Sequence, residues 1–149
     1  MRTFRSIQEA MNAVLPKQSD FAELGDLLIA HYRKVIETNS VSGKLLKKKT
    51  IQKKIYRGAK SPITKLLEGG GLAKQIKKIV SDKRLEVGFL NEEHIKFKPE
   101  DTSINVNDLA RIHHFGSDNL PKRQFLVLSD DEHKIVSDWL RNVLRRNCG

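Results

Sequence analysis

The last stretch of the chain restricts its fold more than any other. Ser129-Asp130-Asp131-Glu132 forms a capping box, with a serine at the cap and a glutamate three residues on. Its acidic residues occupy a first turn, where they complement the helix dipole. Behind the cap, Ile135, Val136, Trp139, Leu140, Val143 and Leu144 make one apolar stripe, and Arg141, Arg145 and Arg146 collect toward the C-terminal end. A helix patterned in this way must bury that stripe against a second surface. Upstream, Ser19 and Asp20 offer a cap, Glu23 follows three residues after Asp20, and Phe21, Leu24, Leu28, Tyr32, Val35 and Ile36 recur on one helical face. Asn39 to Gly43 breaks this second helix, and His31 beside its stripe reads as a packing or surface residue.

Between the two helices the apolar period changes. Ile76, Ile79 and Val80 stand among lysines, Asp82-Lys83 is a turn, and Leu85-Glu86-Val87-Gly88-Phe89 alternates, which predicts a β-hairpin over Lys74 to Phe89. His94 to Lys98 alternates again, Pro99-Glu100-Asp101 turns, and Ser103 to Asn107 alternates once more, as a second hairpin or an elaborated loop. Leu109 to Phe115 reads as a short helix or an irregular segment ending at Gly116. Leu120-Pro121 opens a turn, and the apolar run Gln124 to Leu128 predicts a central strand buried on both faces. The expected fold class is therefore α+β: an antiparallel sheet of about four strands from Lys74 to Leu128, packed against a long N-terminal helix and a C-terminal helix. A chain of 149 residues fits one domain, 1–149. Residues 1–17 form an N-terminal arm in which Ile7, Met11, Val14 and Leu15 fall at helical spacing before Pro16, ready to dock on the body or on a neighbouring subunit.

Charge narrows the partners. There are 28 Lys and Arg against 18 Asp and Glu, a net charge of +10, which favours nucleic acid or an acidic protein surface. The excess is concentrated: from Thr38 to Leu67 there is no acidic residue, while Lys44, Lys47, Lys48, Lys49, Lys53, Lys54, Arg57, Lys60 and Lys65 all fall there. Leu45, Leu46, Ile51 and Ile55 interrupt the lysines as an amphipathic helix would, whereas Gly58 and Ser61-Pro62 favour a loop, so residues 40–68 read as a basic loop. A phosphate-contacting or acid-docking patch at Lys44, Lys47, Lys48, Lys49, Lys53, Lys54, Arg57 and Lys60 stands beside a mobile, solvated surface as the two readings. No apolar run reaches the roughly 20 residues of a membrane span, and Met1 to Arg5 leads into no signal core, so no membrane partner is expected. Cys148 is the only cysteine, which excludes an internal disulfide and fits a reducing compartment.

Catalytic patterns are thin. Gly69-Gly70-Gly71 lacks the lysine and hydroxyl residue of a phosphate loop and reads as a hinge. Adjacent histidines such as His113 and His114 point about 100° apart on a helix and to opposite faces on a strand, so they do not chelate one ion together. His113 reads instead as a hydrogen-bonding residue of the turn around Gly116 or Pro121, and Phe115 as core. Asp130-Asp131-Glu132 is explained by the cap without a nuclease metal. No nucleophile elbow occurs, and neither a catalytic residue nor a metal or cofactor site is expected. Arg123, in a rigid turn between Pro121 and Phe125, reaches either a carboxylate of a neighbouring subunit or Asp130, Asp131 or Glu132 of its own chain.

Two motifs carry a family resemblance. Ala110, Ile112, His113, Phe115 and Gly116 fall on a tyrosine-alanine-x-isoleucine-histidine-glutamine-phenylalanine-glycine pattern. Pro121, Arg123, Phe125, Leu126, Ser129, Asp130 and Glu132 fall on a proline-x-arginine-x-phenylalanine-leucine turn followed by an acidic helix start. Together they resemble the virion morphogenesis or tail-completion family of tailed bacteriophages and prophages, with Leu109, His114 and Gln124 departing from the usual residues. Gly71-Leu72, Ile76 and Leu85 to Gly88 extend the resemblance upstream to about Gly69. The resemblance implies a structural protein of the virion, completing the tail or joining head to tail, present in the host bacterial cytoplasm during assembly. It also implies a ring-type homo-oligomer, which needs heterologous faces that close by rotation, and docking to tail-tube or neck proteins. His113, Phe115, Gly116, Pro121, Arg123 and Phe125 are then structural motif residues. The alternative from the charge is a small basic nucleic-acid-binding module, and a lysine-lined ring lumen with non-specific DNA contact joins the two.

Overall fold

The computed structural model describes residues 5–38, 47–56, 71–90, 94–97, 102–117, 122, 124–126 and 128–149. In chain order the elements are α1 (Ile7–Val14), α2 (Gln18–Glu37), α3 (Lys48–Tyr56), α4 (Gly71–Lys74), β1 (Lys77–Ser81), β2 (Arg84–Gly88), β3 (His94–Phe97), β4 (Thr102–Asn105), α5 (Val106–Phe115) and α6 (Asp130–Cys148). The class is α+β, with a long N-terminal helix and a C-terminal helix.

Helix α2 is the organising element. It touches the β1–β2 hairpin, α4 and α6. Its cap differs from the expected one: the helix begins a turn earlier, at Gln18, and Asp20 sits inside it with its carboxylate accepting the Lys17 N–H at 2.7 Å. Pro16 explains the shift, since a proline just ahead of the first turn fixes the entry and leaves Asp20 at the third helical position.

Both expected hairpins form. In the first, Ser81 pairs with Arg84 and Lys77 with Gly88; in the second, Ile95 pairs with Ile104. They stand as two separate two-stranded antiparallel sheets, which corrects the expectation of one sheet of about four strands. Gln124 to Leu126 and Leu128 are not in a strand either. Phe125 is buried and Leu128 is 74% exposed, so the apolar run gains its burial from a side chain wedged into the core and not from ladder neighbours.

The core has two parts. Tyr32 and Ile36 of α2 meet Leu72, Ala73, Ile76, Val106, Ala110 and Phe125 in one, while Leu24 of α2 meets Trp139 and Val143 of α6 in the other. Leu28 packs against both. At Gly25 the first hairpin lies close against α2. A Cβ there would lie 2.7 Å from Lys78 Cδ and 3.0 Å from Leu85 Cδ1. Lys78 points inward at this crossing, its ammonium held by the Ala22 carbonyl at 2.9 Å and Asp26 at 2.6 Å, while Ile79 faces solvent.

Candidate functional site

The basic segment contains a helix where the sequence suggested mainly loop. The Lys47 carbonyl accepts the N–H groups of Thr50 and Ile51, at 2.9 and 3.1 Å, and starts α3. Lysine and glutamine are good helix formers, and Ile51 and Ile55 recur four apart on one side. Lys47, Lys48, Lys49 and Lys53 are exposed, as are Ile55 and Tyr56, and Lys54 lies within the helix. Lys44, Arg57 and Lys60 lie outside the described residues, as do Lys65 and the triple glycine apart from Gly71.

The motif region is a corner built on α5. Asn105 caps it by accepting the Asn107 N–H at 2.8 Å, and the helix ends where Gly116 takes φ 80°, a backbone region that an L side chain resists. The Gly116 N–H donates to the Ile112 carbonyl at 2.9 Å, so the turn is closed by the backbone itself. His113 is half-buried in the last turn. His114 lies edge-on to Phe125, with ring centroids 5.5 Å apart, and Phe125 meets Phe89 at 5.7 Å. Burial and the neighbouring Lys122 push the His114 imidazole below its ordinary range. Phe115, expected in the core, is 69% exposed, because nine residues after Val106 it falls on the side of α5 opposite the buried Val106. Pro121 and Arg123, and with them the choice between the two partners of Arg123, lie outside the described residues.

A buried polar cluster builds on the cap at Ser129 and Glu132. Glu132 is 4% exposed, and its Oε2 accepts the Ser129 N–H at 2.7 Å and the Ser129 hydroxyl. Its Oε1 lies 2.7 Å from His31 Nε2 on α2, and since an ionised carboxylate only accepts, that nitrogen carries the proton. Burial raises the Glu132 pKa, but Ser129, the residue's own N–H and His31 together outweigh it and hold the carboxyl below its ordinary range. Tyr32 is pushed up by burial and by the Glu132 charge. The cap was legible from serine and glutamate three apart; the histidine 101 residues away was not. The hydroxyl proton of Ser129 points at a carboxylate and not at an imidazole, so the cluster is chemically a reinforced helix cap that ties α6 to α2. Among the described residues no group of His, Cys, Asp and Glu is placed to hold a metal ion. No helix among them is long and apolar enough to cross a membrane.

Surface apolar groups complete the picture. α1 contacts α6 with its inner side, and Asn147 Nδ2 donates to the Val14 carbonyl at 3.1 Å. The other side of its stripe, Ile7, Met11 and Leu15, is 83%, 50% and 47% exposed. The arm therefore touches α6, with Ala10, Ala13 and Val14 half-buried, and leaves Ile7, Met11 and Leu15 open. Comparison of the chain with family models, with curated proteins and with solved structures finds no match.

Proposed function

We propose that this chain is a structural component of a tailed phage or prophage virion, completing the tail or joining head to tail, and that it works by self-association and docking, without turnover. The two sequence motifs on α5 and around Phe125 support the reading by resemblance. The observation that carries it from the structure is the open face of α1. Ile7 and Met11 on α1 and Leu15 just beyond it form an exposed apolar row on an arm that touches the body, and a ring subunit needs such a face to offer its neighbour. Phe115, beside the motif glycine, is a second exposed apolar side chain.

The test combines light scattering of the purified chain at high concentration with capture of partners from an induced lysogen. Concentration-dependent assembly, or recovery of a tail-tube or neck protein, supports the reading. A chain that stays monomeric and recovers no virion component sinks it. Ile7→Ser and Met11→Ser together should weaken assembly while leaving the fold intact.

A further inference from the structure

Several cations on the body of the fold are matched by a carboxylate or a carbonyl. Lys78 meets Asp26, Arg84 meets Glu86, Arg141 meets Asp138, Arg146 meets Asp20 and Glu23, and Arg33 donates to the Ala73 carbonyl. Helix α3 is where cations without such a match among the described residues gather; elsewhere, as at Lys34, Lys77, Lys83 and Lys134, they are spread over the surface. Lys47, Lys48, Lys49 and Lys53 are exposed, and none of them has an ion pair among the described residues. The chain places no acidic residue between Thr38 and Leu67 to supply one. Its first turn carries lysines where α6 carries three acidic residues, so α3 runs against the helix dipole. Lys49 and Lys53 are also four apart, a like-charge pair that disfavours the helix. An anion on this surface relieves both.

We propose that α3 is a contact surface for the phosphate backbone of duplex DNA, bound without sequence preference. Lysine is a compact point charge without the planar fork that reads guanine edges, so the surface suits phosphates and not bases. An α-helix with its side chains is about 10–12 Å across and enters a major groove about 12 Å wide, so the exposed lysines of α3 can reach phosphates at the groove's edge. Ile51 and Ile55 lie opposite Lys49 and Lys53 on the helical wheel, so these two lysines share a side free of apolar residues. A regular array of phosphates matches this distribution better than the scattered carboxylates of a protein surface. The inference is independent of the assembly reading: a chain that assembles but ignores DNA disposes of this proposal alone.

The experiment uses the full chain and a short labelled duplex in two unrelated sequences, with affinity followed against salt. Log affinity should fall linearly with log salt, alike for both sequences, and Lys49→Gln with Lys53→Gln should flatten the slope by about two units. Lys77→Gln with Lys83→Gln removes the same charge from the exposed side of the β1–β2 hairpin and should leave the slope unchanged. Absence of salt-dependent duplex binding overturns the proposal. So does equal flattening by both double variants, which would assign the effect to net charge, or tighter binding to polyglutamate or to phosphatidylserine vesicles than to the duplex.

Discussion

Glu132 is a single side chain that closes a helix cap and joins two helices, and its charge makes both jobs depend on pH. Its folded pKa lies below the ordinary value of 4.5, so the unfolded chain takes up its proton first as pH falls. The stability it contributes is present above 4.5 and is lost as pH drops through the folded value. His114 acts at a higher pH, because a base with a lowered pKa resists protonation in the fold, and stability erodes as pH falls below 6.5. Urea titrations should therefore show stability falling in two stages on acidification. Glu132→Gln should suppress the lower stage while lowering stability at neutral pH, and His114→Phe should suppress the upper one. Gly25 carries a different constraint. Glycine within a helix costs about 1 kcal/mol relative to alanine, yet a larger side chain would press on Lys78 and Leu85. Gly25→Val should lower the urea midpoint by the equivalent of about 2 kcal/mol through overpacking. Nothing in the linear sequence marks Gly25, since its role depends on a hairpin more than 50 residues away crossing directly above it.

Elements with a local period were legible. The stripes of α2 and α6 and the turn at Asp82-Lys83 follow from spacing and turn chemistry alone. The sheet arrangement was not, because alternation shows that a strand has two faces and says nothing of which strand lies beside it. The apolar run around Phe125 misled for a related reason: a buried aromatic wedge and a central strand share one composition. Phe125→Ala removes the ring that His114 and Phe89 pack against and should cost about 4 kcal/mol, readable as a fall in thermal midpoint. In the candidate surfaces, the lysines of α3 were legible as charge, with a helix as one of two readings, and the choice of helix over loop became visible only in three dimensions. α1 contributes no buried side chain. Removing residues 1–15 should cost only about 1 kcal/mol, the scale of the Asn147 hydrogen bond it forfeits, and calorimetry can measure this.

At the scale of the molecule, two core clusters share Leu28, so neither loosens without disturbing the other. The only tryptophan, Trp139, reports on the α2–α6 cluster, while far-UV circular dichroism sums all helices. The two signals should give coincident denaturation curves, and Leu28→Ala should shift both together; separated transitions would show that the clusters melt independently. Asp20 sets how the ends of the chain are arranged. Its carbonyl takes the Trp139 indole N–H at 2.9 Å, one carboxylate oxygen takes the Lys17 N–H, and the other takes Arg146 at 3.1 Å. The beginning of α2 and the end of α6 are thus pinned side by side. A short linker from Gly149 to Lys17 would bridge them, and a circularly permuted chain opened in the exposed Asp82-Lys83 turn should keep the same core, with both new termini carried by the hairpin tip.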